Sequence, residues 1–464
     1  MAAAAISPAV RSILRFLLGS YRYVALCFLS LKEYVGRLVG RNNPKPYSTS
    51  ERRVVMGESW NEFCDTLKAA GAAMMAPGAP TDPFTQAEGY RYLSRLARAG
   101  LENYVECNNV LRPQLCAIAN GNRAARICIG SDNPDNLYEN ATIDSRLAYV
   151  VKGYRGTVPY LGLGTQSGRY GAKGGLQTID YIDANDLIYE DDDSDCSKES
   201  IHGGLKRTSN DDSKGKYFKI ILSKDRPVGA NNWLRLSSEI PEAMFIVRQT
   251  FGKRNLETPA SLQISLYADG EEATEETQTD IGDVLTAQHL DDGLQSASVL
   301  VAGASAMFAK WAYDFQSHEN QLPLFDPIRS LKAGGDPNIR YYHSYWRLEL
   351  DEVLRIKVRP PPCRCWNFQL NNHWMESLDY RHHSVHTNNS LARPDDHDDT
   401  SYTILVSHHD PNTRGLFRGN WIQTAGHICG TMCFRYVAPM VQNDSELPHP
   451  IVDVVSYSSI INNS

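Results

Sequence analysis

The chain has 464 residues, of which 42% are hydrophobic and 22% charged, a composition typical of a globular protein with two or three domains. Its formal net charge is −7, and basic residues never cluster beyond short pairs. Because a polyanion binder needs a positively charged face, nucleic acid is excluded as a partner. The ten cysteines are scattered, at a density far below that of a disulfide scaffold.

Residues 1–40 form the one stretch with the composition of a membrane-contacting segment. The run from Ile13 to Leu31 is largely apolar, but Arg15 and Arg22 interrupt it. An arginine at the centre of a spanning helix costs about 2.5–3.5 kcal/mol on insertion scales. We therefore expect a basic amphipathic helix in the membrane interface and a protein that is soluble or peripherally membrane-associated. A helix packed on the protein's own core is one alternative, and a signal sequence or spanning helix is another.

Two helices are predicted after this segment. Apolar residues recur at helical spacing from Ser59 to Met75, and a Pro-Gly-Ala-Pro sequence then ends the helix. Asp82 is a suitable N-cap for a second helix that begins with Pro83. The spacing assigns one shared face of this second helix to Tyr90, Leu93, Ala97, Leu101 and Tyr104.

Strands are predicted from Cys128 onward, where short alternating runs are separated by Gly, Pro, Asn and Asp. Segments 148–153 and 159–164 are predicted to be the first pair of strands. Residues 186–212 are rich in Asp and poor in apolar side chains, so a solvated loop is expected there.

One long helix interrupts the strands at about residues 283–318. Apolar side chains recur there every seven residues, with others between them, which predicts a helix packed along one seam. The residues of this stripe are Leu294, Ala297, Val301, Ala304, Phe308, Trp311 and Phe315.

Two parts of the chain repeat the same order of motifs. Residues 148–251 and 354–437 each begin with two strands around a Gly- or Pro-bearing turn. An Asn-Trp pair follows in each part, and an Arg lies fifteen residues after the Trp in the first copy and fourteen after it in the second. The first copy is longer by about the length of the acidic loop. This similarity predicts an internal duplication.

The predicted fold is therefore mainly β with α additions. It consists of duplicated antiparallel β-sandwich or jelly-roll units, N-terminal helices and one long helix between the two β units. The predicted divisions are an amphipathic N-terminal segment at 1–50, a helical region at 51–125, a first β unit at 126–282, a linking helix region at 283–340 and a second β unit at 341–464.

The repeated arginines need a partner in each copy. Asp225 is a candidate partner for Arg248 in the first copy, because a strand arginine can bind a carboxylate in bidentate fashion. Asp410 and Arg435 are the corresponding pair in the second. The favoured interpretation is a structural Asp–Arg clasp that holds a loop to the sheet.

Histidines accumulate in the second copy, where nine of the thirteen lie between residues 371 and 449. One interpretation is a divalent metal site, whose ligands would come from His373, His386, His409 and His427, with the carboxylate of Asp410. A second is metal-free acid–base catalysis by His409 or His427 with Asp410. A third is structural, with the histidines capping strands or hydrogen-bonding the backbone in aromatic-rich loops. The candidate catalytic residues are His409, Asp410, His427 and Arg435.

Several motifs together resemble the domain of unknown function 1214 family, which often occurs with a companion called domain of unknown function 1254. The matching stretches cover most of residues 85–437 and are 87–102, 133–138, 143–144, 232–249, 351–354, 359–361, 374–377 and 410–427. The resemblance implies a β-rich, jelly-roll-like body but assigns no catalytic residue, since the family has no settled activity. One departure is the eight residues from Asn412 to Gly419, where the family usually has only a few.

Two functions from different classes follow. The first is a binding protein that holds a small apolar or carbohydrate-like ligand in a cleft of the second β unit. The residues predicted to line this cleft are Trp366, Trp374, Tyr380, Asn420 and Trp421. The second is a hydrolase or lyase that uses the histidines and Asp410, with or without metal. A homo-oligomer and a peripheral membrane contact through residues 1–40 are both compatible with the sequence.

Overall fold

The computed structural model describes residues 47–117, 119, 126–168, 176–190, 216–268, 271–272, 285–411 and 419–462. The segment predicted to contact a membrane and most of the predicted acidic loop lie outside these ranges. No described helix combines the length and the apolar composition that crossing a bilayer requires.

The described helices are α1 (Thr49–Val55), α2 (Glu58–Ala70), α3 (Pro83–Leu101), α4 (Ala287–Phe315), α5 (Pro327–Leu331) and α6 (Tyr457–Asn462). The sequence analysis did not predict α1, which begins at a capping box between Ser48 and Glu51. In α3 the start is as predicted, since the Asp82 side chain accepts a hydrogen bond from the Thr85 N–H and Pro83 is the first helical residue.

The long helix α4 buries the whole stripe that its seven-residue spacing predicted. The helix α3, by contrast, buries Tyr92, Leu96 and Ala99, while Tyr90 on the predicted face is exposed. The reason is the close approach of α3 to α4, because a Cβ added at Gly100 would lie 3.0 Å from the backbone of Ala297. The packed face of α3 therefore combines small residues such as Ala99 and Gly100 with the larger Tyr92 and Leu96.

Each β unit consists of two sheets. In the first unit, one sheet has the order β1 (Asn136–Asp144), β7 (Glu242–Thr250), β3 (Tyr160–Gly168), β4 (Leu176–Asp183). The other sheet has the order β6 (Asn232–Arg235), β5 (Tyr217–Ser223), β2 (Ala148–Tyr154), β8 (Ser261–Ala268), β9 (Glu271–Glu272).

The second unit repeats this arrangement, except that β9 has no counterpart among its described strands. One sheet has the order β10 (Ile339–Arg347), β16 (Cys429–Val437), β12 (Cys365–Leu370), β13 (His386–Asn388). The other has the order β15 (Asn420–Gln423), β14 (Tyr402–Ser407), β11 (Glu352–Val358), β17 (Ile451–Ser456). The internal duplication and the mainly β fold with a long helix between the units are therefore confirmed.

The two strands predicted as the first pair are both present, but they lie in different sheets. Strand β2 pairs with β5 and β8, whereas β3 pairs with β4 and β7. The turn between them carries the chain from one sheet of the sandwich to the other. Strands β11 and β12 of the second unit are divided in the same way.

A hydrophobic core fills the space between the two sheets of each unit. Side chains alternate across a strand, so only every second residue enters this core. Phe245 and Val247 of β7 point into it. Met244, Ile246 and Arg248 therefore emerge on the opposite face, which is turned toward the second unit.

The repeated Asn-Trp pair forms the same corner in both units. Asn232 donates to the carbonyls of Ile188 and Lys219 and accepts from the Ile188 N–H, and Asn420 makes the equivalent three bonds with Arg393 and Thr403. The indole of Trp233 donates to Ser223 Oγ at 3.0 Å, and that of Trp421 donates to Ser407 Oγ at 2.9 Å. This motif fixes a parallel edge strand to its neighbour.

Replacing Trp233 or Trp421 by phenylalanine should therefore lower the free energy of unfolding by a similar amount, about 1 kcal/mol each, because each change removes one indole hydrogen bond. Denaturant unfolding of the two variants measures this. Trp60→Phe is the control, since that side chain is 58% exposed and no hydrogen bond of its indole is found in the described structure. A cost in only one unit would contradict the equivalence of the two corners.

Candidate functional site

A cavity of about 150 Å³ lies between the two β units and the long helix. Strands β7 and β10 and helix α4 supply most of its lining, together with the loop at 330–335. Its apolar wall includes Met244, Ile246, Phe308, Trp311, Phe325 and Ile339. The two sheets that meet here are the equivalent sheets of the duplicated units.

Equivalent Tyr–Arg pairs face the cavity from both units. Tyr138 of β1 is the register partner of Arg248 on β7, and Tyr341 of β10 is the register partner of Arg435 on β16. All four residues line the cavity. The duplication has thus placed the same two side-chain types on opposite sides of one space.

The two buried arginines are bonded differently. Arg435 donates from Nη1 to Gln369 Oε1 at 2.5 Å and from Nη2 to the carbonyl of Ser131. Arg248 donates from Nη2 to the carbonyl of Gly334 at 2.6 Å, while its Nη1 has no partner among the described residues. Among the described residues, Arg248 makes one side-chain hydrogen bond and Arg435 makes two.

Neither arginine forms the predicted clasp. Within the described residues, no carboxylate lies within 4.0 Å of the guanidinium of Arg248 or Arg435. The predictions that pair Asp225 with Arg248 and Asp410 with Arg435 are therefore wrong. The alternation along β7 and β16 turns both guanidiniums away from the Asn-Trp corners and toward the space between the units.

The carbonyl of Gly334 accepts two hydrogen bonds, and its direction depends on a left-handed backbone conformation. It accepts from Arg248 and, at 2.8 Å, from Gln166 Nε2. Gly334 has a φ of +78°, and a Cβ there would lie 2.8 Å from Gln166 Nε2 and 2.9 Å from Leu176 Cδ2. A side chain would be strained and crowded at this position, so glycine is required to aim the carbonyl.

A buried carboxyl group lies close behind Arg248. Asp336 accepts from the hydroxyls of Tyr160 at 2.9 Å and Tyr181 at 2.6 Å, and from the Asn338 N–H at 2.9 Å. Burial raises the pKa of Asp336, and the nearby positive charge of Arg248 opposes this shift. The group links strands β3 and β4 of the first unit to the start of the second.

An aromatic stack closes one side of the cavity. The ring of His343 lies 5.7 Å from that of Tyr341 and 5.5 Å from that of Phe315, nearly parallel to both. Burial lowers the pKa of His343 to about 3, and the charge of Arg435 acts in the same direction. The imidazole is therefore neutral at pH 7, and its Nδ1 has no hydrogen-bond partner in the described structure.

The histidines predicted as metal ligands are not brought together. They contact separate partners: Tyr345 beside His373, Asp135 beside His386, Tyr457 beside His409 and Glu88 beside His427. Among the described residues, no group of three or more His, Cys, Asp or Glu side chains could hold a metal ion. The accumulation of histidine in the second copy therefore does not correspond to one shared pocket.

The predicted acid–base pairs also differ from the contacts observed. Both ring nitrogens of His427 face acceptors, with Nδ1 donating to the Thr424 carbonyl at 3.0 Å and Nε2 lying 3.1 Å from Glu88 Oε2. The carboxylate beside His427 is therefore Glu88 of helix α3, not Asp410. His409 packs on Tyr457, whose hydroxyl donates to the Asp410 carbonyl.

The aromatic residues predicted to line a cleft belong to different parts of the structure. Trp366 is buried in the core of the second unit, and the indole of Trp374 donates to the Thr85 carbonyl in the helical core. Tyr380 packs beside the ring of His386. Asn420 and Trp421 form the corner described above, so these five residues do not share one cleft.

The cavity was not predicted from the sequence, although a signal for it was present. The arginine that recurs in both copies was the signal, since its spacing from Trp placed it on matching strands. It was assigned to a clasp because no sequence pattern shows which face of a strand meets the other unit.

The fold and the cavity define a class of protein, a duplicated β-sandwich with an arginine-lined cavity between its halves. No family model and no curated protein matches the chain. The crystal structure of an uncharacterised protein from Burkholderia cenocepacia is 37% identical, with a TM-score of 0.73 over 88% of this chain and 99% of that one. The chain belongs to the same family as that protein. A protein from Vibrio parahaemolyticus is 11% identical, with a TM-score of 0.36 over 79% of this chain and 98% of that one.

Proposed function

We propose that the protein binds a small molecule in the cavity between its two β units. The observation that carries this proposal is a set of buried polar atoms without partners at an apolar-walled cavity: Arg248 Nη1, Gln166 Oε1 and His343 Nδ1. Ligand sites combine an apolar wall with a few convergent polar groups. A buried polar group without a partner costs about 1–3 kcal/mol. A molecule that enters the cavity and, after a small shift of these three side chains, supplies the partners therefore binds favourably.

The proposed function, binding of a small molecule, is of the class predicted from the sequence. The proposed site differs, because the sequence predicted a cleft within the second β unit. A small ligand with an apolar body fits the wall formed by Ile246, Phe308 and Trp311. The site lies between the units, on the faces of β7 and β10 that point out of the sandwich cores.

We also propose that the family shared with the Burkholderia cenocepacia protein is the domain of unknown function 1214 family. The motifs that carry the resemblance include stretches 133–138 and 232–249. Tyr138 and Arg248, which end or nearly end these stretches, both line the cavity. The stretches that resemble the family therefore include residues of the proposed site.

Filling the cavity tests the proposed function. Ala333 lines the cavity at its partly exposed side, so Ala333→Phe should block it, whereas Ala333→Ser should leave its volume almost unchanged. In a thermal-shift screen of small molecules, we expect compounds that stabilise the natural protein and the serine variant but not the phenylalanine variant. A ligand at a hundredfold excess over its Kd stabilises by about 2.7 kcal/mol. If every stabilising compound acted equally on Ala333→Phe, the proposal would be wrong.

A further inference from the structure

We propose that the ligand is a small carboxylate whose carboxyl group pairs with Arg248, an inference that rests on the proposed function of the cavity. The charge, the free donors and the volume of the cavity each narrow the chemical class of the ligand.

The first step is the charge of the two arginines. Arg248 is 6% exposed and Arg435 is 3% exposed, yet neither has a carboxylate within ion-pair distance among the described residues. A buried charge is costly unless it is paired and hydrogen-bonded. Among the described residues, no anion therefore contacts either of these two buried charges beside the cavity.

The second step is the difference between the two arginines. Arg435 is held by Gln369 and Ser131, whereas Arg248 keeps one unpartnered Nη1. The hydroxyl of Tyr341, on the other unit, also lines the cavity and has no hydrogen-bond partner in the described part of the chain. A carboxylate has two acceptor oxygens, and guanidinium and hydroxyl donors are the groups that charge-assisted hydrogen bonds to it require.

The third step concerns the acidic groups nearby. Asp336 and Asp132 equal the two arginines in number, but their oxygens are already occupied. Asp336 accepts from two tyrosine hydroxyls and one N–H, and Asp132 accepts from the N–H and hydroxyl of Ser377. They offset part of the positive charge and do not bond Arg248 Nη1.

The fourth step is size. A cavity of about 150 Å³ lined by apolar side chains is large enough for a benzene-sized molecule. The rings of Phe308, Trp311 and Phe325 form much of the wall. The ligand is therefore a monocarboxylate with an apolar body no larger than one ring or a short chain, of which benzoate and butyrate are suitable probes.

Calorimetric titration of matched probes tests this inference. Benzoate should bind the natural protein at least tenfold more tightly than benzamide, which has nearly the same shape without the charge, and butyrate should exceed butyramide likewise. Arg248→Gln should lower the affinity for benzoate at least thirtyfold and the affinity for benzamide by a much smaller factor, because glutamine still donates a hydrogen bond but carries no charge. Arg248→Lys should retain part of the preference, and Tyr341→Phe should weaken benzoate binding several-fold.

The outcomes separate this inference from the proposed function. Benzamide binding that Arg248→Gln retains shows that the variant is folded. If amides bind the natural protein as well as the acids do, and Ala333→Phe abolishes both, the cavity binds ligands but the carboxylate assignment is overturned. Benzoate binding that survives Arg248→Gln overturns it too. If no probe or screened compound is sensitive to Ala333→Phe, the proposed function fails as well.

Discussion

Replacing Asp336 by alanine is expected to lower the free energy of unfolding by about 3–5 kcal/mol, because the change removes the acceptor of three hydrogen bonds, each worth about 1–1.5 kcal/mol or more. Asp336 is 2% exposed and accepts three hydrogen bonds. Its loss leaves buried hydroxyls of Tyr160 and Tyr181 short of an acceptor and takes away the charge that favours the cation of Arg248. Denaturant unfolding at pH 7 measures the change.

Two variants separate the causes of this loss. Asp336→Asn keeps an acceptor of the same shape and removes the charge, so its cost should be clearly smaller than that of alanine. Asp326→Ala removes an exposed N-cap from the same part of the chain and should cost about 1 kcal/mol. Equal costs for Asp336→Ala and Asp326→Ala would show that the buried carboxyl group does not join the two units.

The stability of this contact bears on the cavity as well. Asp336 lies two residues after Gly334, whose carbonyl positions Arg248. Tyr181 bonds Asp336 from β4 and lies over Gly162 of β3, where an added Cβ would collide with the Tyr181 hydroxyl. The docking of the two units and the placement of the arginine therefore depend on the same few residues.

The duplication was predictable because its signals are local. The Asn-Trp pair recurs because each copy needs the same side-chain amide and indole to fix an edge strand, and those bonds involve near neighbours in sequence. The stripe on α4 was predictable for a similar reason, since helical periodicity records burial directly. Patterns of this kind determine strands, helices and their order along the chain.

The site was not predictable in the same way, because it forms between elements that are distant in sequence. Tyr138 and Arg248 are 110 positions apart in sequence and become neighbours only through the register of β1 and β7. The prediction of a shared histidine site was wrong because the frequency of histidine in a segment does not show that the side chains lie close together. His427 contacts Glu88 of helix α3, whereas His409 packs on Tyr457.

One histidine outside that group does matter, and replacing it should change the response of the protein to acid. His343 lies in the aromatic stack beside the cavity, with Phe325 at 5.1 Å in an edge-to-face arrangement. We expect His343→Phe to fit this stack and to be at least as stable as the natural protein at pH 7, because the change also removes a buried Nδ1 without a partner.

The sign of the pH effect follows from the lowered pKa. The folded protein holds the pKa of His343 near 3, well below the ordinary 6.5, so only the unfolded chain takes up this proton as the pH falls below 6.5. The contribution of neutral His343 to the free energy of unfolding is complete above pH 6.5 and is lost as the pH falls from 6.5 to about 3. Over this range the free energy of unfolding falls by about 1.4 kcal/mol per pH unit, which is a loss of about 2 kcal/mol at pH 5.

The measurement is the free energy of unfolding of both proteins at pH 7 and pH 5. The advantage of His343→Phe should grow by about 2 kcal/mol between the two conditions, and His382→Phe serves as the control for removing an imidazole at the surface. Some acid sensitivity should persist in His343→Phe, because burial also lowers the pKa of His373, to about 4. An advantage that does not depend on pH would mean that His343 already carries its proton, or gains it readily, inside the folded protein.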